Sequence, residues 1–243
     1  MNILIPMGGS DEIFRQQGHI YAKPLIEIAG RPLVQHALAP FKAIDGARPI
    51  FVIRKEDDLR FYLRDVLRLL EPGSTVLRAD GPTAGAACTA LLAIELIDND
   101  EELLIANADQ ILDFDLAEIV ARFREKKLDA GTVVFDSVHP RWSFVKTDED
   151  DLVIEAAEKR PISRNATAGV YYFREGRFFV DAAKNMIRKE ASVNGGYFVC
   201  PSLNELVLAQ MRVGVERVDR SQYISLATPQ AVEEYEQILK SRG

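Results

Sequence analysis

Much is missing from this 243-residue chain, and each absence removes a class of function. There are only two cysteines, Cys88 and Cys200. Two isolated thiols make neither a disulfide framework nor a zinc site, so both are expected as free, buried groups. Basic charge is not in excess: 30 Lys and Arg stand against 37 Asp and Glu, a net charge of −7. That argues against a broad nucleic-acid or anionic-membrane surface and leaves room only for a local basic pocket. No apolar run approaches the ~18 residues of a membrane span, and the first residues lack the charged start of a signal peptide. A cytoplasmic location is expected. Repeats and low-complexity segments are absent too, and Pro and Gly are scattered rather than gathered into a linker.

What remains is an ordinary globular composition, 47% hydrophobic and 28% charged, that fits one large α/β domain. Through the first half, apolar runs alternate with helical periods. Strands are expected at Asn2–Met7 and at 50–53, 74–77, 103–106 and 131–135. Helices are expected at 33–41, opened by Pro32, and at 57–70, 86–97 and 116–123. This rhythm predicts a largely parallel sheet with helices on both faces. The second half changes character. Short strands at 142–146, 153–156 and 169–173 read as a small added sheet, and Asp148-Glu149-Asp150-Asp151 as a solvated turn. Helices return at 177–188 and 203–211, followed by a strand at 214–218 and a closing helix from Pro229.

The residues that carry chemistry begin at the first strand. Gly8-Gly9 follow it at once and let backbone N–H groups approach a phosphate. Lys23 supplies a point positive charge for that anion, so the pair points to a nucleotide site. Asp109 closes the segment Asn107-Ala108-Asp109 after the apolar run 103–106, at the strand end where open α/β sheets bind ligands. Its carboxylate suits either a divalent cation held against a triphosphate or the cap of a following helix. Asp113-Phe114-Asp115 is an Asp-x-Asp triplet, with Asp115 also placed to cap the helix at 116. Gly81-Pro82-Thr83-Ala84-Gly85-Ala86-Ala87 offers either a flat surface for a base or a tight turn. Taken alone, Glu158-Lys159 is a charged strand end and Asn204-Glu205 an unremarkable helix pair.

In order and spacing, these segments resemble the sugar-phosphate nucleotidyltransferases over nearly the whole chain. Ala168-Gly169-Val170-Tyr171 and the closing Leu226-Ala227-Thr228-Pro229 take part in the likeness. The resemblance implies the GT-A nucleotidyltransferase fold, α/β with a Rossmann-like mixed, mostly parallel sheet and a small β-rich acceptor part. It implies one domain over 1–243, with 1–136 binding nucleotide and 137–243 holding the acceptor and the closing helix. The implied enzyme joins a nucleoside triphosphate to a sugar phosphate or similar small phosphate, with Mg²⁺, and releases pyrophosphate. By the same likeness Met7, Gly8, Gly9, Thr83, Ala84, Gly85 and Asn107 contact the nucleotide, Lys23 binds its phosphates and Asp109 holds the metal. Glu158, Lys159, Gly169 and Asn204 are expected at the acceptor, the lysine on its phosphate. Trp142-Ser143-Phe144-Val145 and Ile162-Ser163 look most like members from surface-polysaccharide or capsule gene sets. No nucleic-acid or membrane partner is implied.

The chain departs from the family pattern at its first loop. The usual Gly-x-Gly-x-Arg is replaced by Gly8-Gly9-Ser10-Asp11-Glu12, with Ile13 at the arginine position and no arginine before Arg15. Acidic side chains there would repel a triphosphate unless they face solvent or bind metal. Three readings follow: Arg15 substitutes, a second Mg²⁺ uses Asp11 or Glu12, or the chain is a catalytically impaired binding module. A glycosyltransferase of the same fold, with metal on Asp113 or Asp115, is the rival enzyme. Where many relatives carry a second metal-binding Asp, this chain has Tyr223-Ile224-Ser225-Leu226. Asp80-Gly81 replaces the base-reading Gln of the family, which favours a pyrimidine nucleotide.

Overall fold

The computed structural model describes residues 1–242. β1 (Asn2–Met7) leads through the short α1 (Glu12–Gln16) and a 3₁₀ turn at Lys23–Leu25 to a small hairpin, β2 (Glu27–Ile28) and β3 (Arg31–Pro32). Next come α2 (Leu33–Leu38), β4 (Arg48–Arg54), α3 (Lys55–Phe61), α4 (Leu63–Leu70) and β5 (Thr75–Ala79). They are followed by α5 (Ala86–Leu91), α6 (Ile94–Ile97), β6 (Leu103–Ala106), β7 (Gln110–Leu112), α7 (Leu116–Glu125) and β8 (Ala130–Asp136). The second half adds β9 (Ser143–Thr147), β10 (Val153–Glu158), the long β11 (Asn165–Phe173), α8 (Gly176–Arg188) and α9 (Val199–Leu208). β12 (Val213–Arg217), β13 (Tyr223–Ser225) and α10 (Pro229–Arg242) complete the chain's elements.

Nine strands form one mixed sheet. β5, β4, β1 and β6 lie side by side and parallel. β11 then pairs antiparallel with β6, β8 and β9, so β9, β10 and β11 join the same sheet rather than standing apart, while β13 pairs with β7 in a separate ribbon. β1 can sit at the centre because Ile3, Leu4 and Ile5 are fully buried, the continuous apolar run of a strand covered on both faces. Its side chains alternate between two cores. Ile3, Ile5 and Met7 pack with α2, α4 and α7, and Leu4 packs with α5, α8 and α9. Burial of each large aliphatic side chain is worth about 1.5–3 kcal/mol. A third, small core of Phe14, Ile26, Ile28, Leu33, Leu226, Val232 and Tyr235 pins α1 to α10.

Three expected helices are interrupted. The 33–41 helix passes into a 3₁₀ segment, Ala39–Ala43, because Pro40 has no N–H to continue the α ladder. The 57–70 helix breaks at Tyr62, which is left-handed with φ +54°. There the Asp58 carboxylate accepts the backbone N–H of Arg64 at 3.1 Å and its guanidinium at 2.7 Å, offering the backbone another partner. The 86–97 helix divides into α5 and α6 around Ala93. No helix among the described residues is long and apolar enough to cross a membrane. Both cysteines are free, Cys200 buried and Cys88 half-buried.

Candidate active site

The carboxyl ends of β1, β4, β5 and β6 open into a cleft of two lobes. The larger, about 820 Å³, is lined by the loops that follow those strands. The smaller, about 170 Å³, is lined mainly from β9, β10, β11 and β13. Asn107 and Asp109 border both. The junction is therefore a place where groups bound in the two lobes can meet.

In the larger lobe the backbone shapes the wall. A Cβ on Gly8 would come within 2.7 Å of Thr89 Oγ1, whereas one on Gly9 would meet nothing within 4 Å. Thr89 and Thr83 share a hydroxyl hydrogen bond of 2.5 Å beneath this turn. Gly85 precedes α5 with φ +104°, and a Cβ there would lie 2.3 Å from the Tyr197 carbonyl oxygen. The Tyr197 backbone also receives Ala87 N–H and donates to the Ala84 carbonyl, so two distant segments clamp the turn.

The larger lobe's charges are paired. Lys23 Nζ holds Asp109 Oδ2, and the Lys23 backbone N–H donates to Asp11 Oδ2 at 3.2 Å. Asp11 is buried and bonded to Arg54 at 2.5 Å, while Arg54 grips both oxygens of Asp57 at 2.7 and 2.9 Å. Burial works against the Arg54 charge, but the Asp57 hydrogen bond and the Asp11 and Asp57 charges outweigh it and raise its pKa. Burial likewise raises the Asp57 carboxyl, against the pull of Arg54. Glu12 lies on the exposed flank of α1, where Gln16 donates to it at 3.1 Å. Asp11 thus faces a guanidinium that it shares with Asp57, and Glu12 faces solvent.

The smaller lobe is made of side chains. Burial raises the Glu158 carboxyl, opposed by a 2.5 Å hydrogen bond from Ser143 Oγ and by the Lys159 charge. The Arg141 guanidinium lies over the Trp142 ring, 4.1 Å from its centroid. Gly169 sits in a bulge of β11 with φ +63°, and a Cβ there would be 2.3 Å from Asn107 Nδ2. Its carbonyl accepts the Asn107 N–H at 3.2 Å, so the bulge sets the junction residue in place.

Met7, Gly8, Gly9, Lys23, Thr83, Gly85, Asn107 and Asp109 all line the larger lobe, and Glu158 and Gly169 line the smaller. Four expected residues are not among the linings. Arg15 is on α1 with its guanidinium 3.7 Å from Glu56. Ala84 takes part through its backbone. Lys159 is exposed, with Nζ 5.2 Å from the centroid of Phe198, a residue of the larger lobe's wall. Asn204 spends both ends of its amide on the Ala156 backbone at 2.8 Å each, clamping β10 to α9. Asp115 caps α7 by accepting Glu118 N–H at 2.9 Å, and Asp113 lines neither lobe, so the Asp-x-Asp triplet is not at the cleft. Sequence reasoning missed Arg54, Arg141 and Tyr223. Arg54 had a usable signal, since it ends the apolar run of β4 as Asp109 follows that of β6.

No group of three or more acidic, His or Cys side chains that could cage a metal occurs among the described residues. Asp109 alone suits Mg²⁺ that keeps its waters and takes further oxygens from substrate phosphates, since that ion commonly binds through one or two carboxylates.

Sheet order and cleft define an α/β protein of the GT-A-like class. Solved structures share it: the nucleoside-diphosphate-sugar pyrophosphorylase from Vibrio cholerae RC9 superposes with a TM-score of 0.85 at 22% identity, covering 97% of this chain and 99% of that one. The inositol-1-phosphate CTP transferase from T. maritima gives 0.77 at 15% identity, covering 98% and 94%. Within that class the chain belongs to the nucleotidyl transferase family, whose model matches residues 5–212. Curated relatives include the bifunctional protein GlmU of Methanocaldococcus jannaschii, 27% identical over 210 residues, covering 78% of this chain and 48% of that protein. Mannose-1-phosphate guanylyltransferase 1 of Arabidopsis thaliana is 24% identical over 177 residues, covering 70% and 49%. The chain spans about half the length of the curated relatives it matches.

Proposed function

We propose that this chain transfers a nucleotidyl group from a nucleoside triphosphate to a small phosphorylated acceptor, of the sugar-phosphate kind that its relatives' names describe, and releases pyrophosphate. The observation that carries this reading is the two-lobed cleft joined at Asp109, with Lys23 at the same point. The larger lobe has room for a nucleotide and the smaller for a compact acceptor. An oxygen of the acceptor phosphate attacks the α-phosphorus in line; the bond from that phosphorus to the bridging oxygen breaks and its electron pair leaves with pyrophosphate. A phosphate monoester is mostly dianionic near neutral pH, with a second pKa of about 6, so no general base is needed. The chain's task is positioning and charge neutralisation.

Lys23 exchanges Asp109 for phosphate oxygens when the nucleotide enters. Asp109, relieved of Lys23, is the residue that would hold Mg²⁺, which supplies charge neutralisation between the two phosphates. Glu158 accepts a hydrogen bond from an acceptor hydroxyl or amine. Arg54, fixed by two carboxylates, keeps the loop after β1 in shape, which is not the triphosphate-binding role for which Arg15 was the candidate. The glycosyltransferase reading loses its metal ligands, because Asp113 and Asp115 line neither lobe. The impaired-module reading, which the missing loop arginine motivates, loses the support of Asp11, because Arg54 is bonded to that carboxylate. The test is to mix the protein with each ribonucleoside triphosphate, Mg²⁺ and a panel of sugar and polyol phosphates, and to measure pyrophosphate. Release that needs both substrates and disappears in Asp109→Ala supports the proposal. Glycosyl transfer from a nucleotide sugar, or no release with any pair, would overturn it.

A further inference from the structure

Four basic side chains line the two lobes: Lys23, Arg54 and Lys55 in the larger, Arg141 in the smaller. Three already hold carboxylates. Lys23 has Asp109, Arg54 has Asp11 and Asp57, and Lys55 has Asp80 at 2.8 Å. Arg141 makes no ion pair among the described residues; its guanidinium contact is the Trp142 ring. A cation held by an aromatic face spends none of its N–H donors. The platform is firm, since Trp142 is buried edge-on between Phe135 and Tyr223, with centroids 5.4 and 5.6 Å away. The Arg141 backbone is tethered as well, its N–H donating to His139 Nδ1 at 3.2 Å.

Charge bookkeeping gives this arginine its purpose. Asp109, Glu158 and Lys23 together leave the junction and smaller lobe one unit negative, which repels a phosphate dianion. Arg141 brings that sum to zero and presents a fork that matches phosphate oxygens two at a time. Lys159, the other candidate for this task, does not line the smaller lobe and has its ammonium over Phe198.

We infer that Arg141 is the anion receptor of the smaller lobe and grips the acceptor's phosphate, leaving Glu158 for an acceptor hydroxyl or amine. The inference rests on reading the smaller lobe as the acceptor site. Trp142 is the chain's single tryptophan, so its fluorescence reports events at Arg141 directly. Inorganic phosphate titrated into the protein is expected to change that fluorescence saturably, with the same affinity by calorimetry. Arg141→Gln should weaken binding by about tenfold or more, the loss of a charge-assisted contact. Arg141→Lys should retain part of the affinity, and Lys159→Gln should stay near wild type; an unchanged melting temperature shows that each variant is folded. Phosphate that leaves Trp142 unperturbed, or binds Arg141→Gln as tightly as wild type, overturns the inference. Pyrophosphate release separates the two proposals. Arg141-dependent phosphate binding without turnover on any substrate pair sustains the receptor and sinks the transferase; turnover with an acceptor KM unchanged in Arg141→Gln does the reverse.

Discussion

The two lobes of the cleft are built by different means. The larger is a backbone structure: strand ends, two glycines that tolerate no Cβ, and basic side chains each tied to a carboxylate. The smaller is a side-chain structure, a carboxylate and an unpaired guanidinium set around aromatic rings. Under the proposed function the backbone cradle would recognise what all nucleoside triphosphates share. The side-chain cavity could be re-tuned one residue at a time, which is what acceptor choice would require. Pairing has a consequence too. In the larger lobe Lys23 is held by Asp109, so under the proposed function an incoming triphosphate would have to take it away, whereas the smaller lobe offers a ready cation.

The junction should show the largest effect, because both lobes depend on it. Asp109→Ala and Lys23→Ala should each cost about 3 kcal/mol or more of transition-state stabilisation, roughly a hundredfold in kcat/KM for pyrophosphate release. A smaller loss from these two than from Arg141→Gln would mean that the smaller lobe, not the junction, governs the chemistry.

Next in size is a structural effect confined to the larger lobe. Arg54→Met would leave Asp11 and Asp57 buried without a counter-charge, at a cost of about 3 kcal/mol by denaturant unfolding. Gly85→Ala should lose about 2 kcal/mol, since its φ and the Tyr197 carbonyl both oppose a Cβ, while Gly9→Ala should be near neutral. Equal destabilisation by Gly9→Ala would contradict the view that Gly8 and Gly85, rather than the Gly-Gly pair, shape this wall.

The same contrast governs what could be read in advance. β1, β4 and β6 were legible because a strand buried on both faces must be a continuous apolar run, and Lys23 and Asp109 stood out against such runs. The smaller lobe was legible only through likeness to a family, since nothing local to His139-Pro140-Arg141-Trp142 says which cavity it faces. Asp11 looked like a fault in the loop because its partner, Arg54, is 43 residues away in sequence. Asn204 looked like an acceptor contact, yet its amide is consumed by the backbone of β10. Gly169 was singled out only by likeness as the glycine beside the acceptor, and the reason a Cβ is excluded there, Asn107 Nδ2, comes from another strand's end. Long-range pairing, not local propensity, is what the sequence withheld.

Glu158 offers the smallest and most specific test of the side-chain lobe. Burial raises its carboxyl above the ordinary range, more than the Ser143 hydrogen bond and Lys159 lower it. A carboxyl raised in the folded state contributes stability only where it is protonated, below its unfolded value of about 4.3, and that contribution is lost as pH rises through the folded pKa. Near neutral pH the buried charge is therefore a net cost. Glu158→Gln removes the charge but keeps an oxygen to accept the Ser143 hydroxyl. The variant should melt slightly higher than wild type at neutral pH, and the gap should close as pH falls toward the carboxylate range. Its acceptor KM should rise at the same time, because a carboxylate has been exchanged for a weaker acceptor, while the KM for the triphosphate stays put. A variant that melts lower at neutral pH would show that the carboxylate's hydrogen bonds outweigh its burial. The contrast between the two lobes would then rest on Arg141 alone.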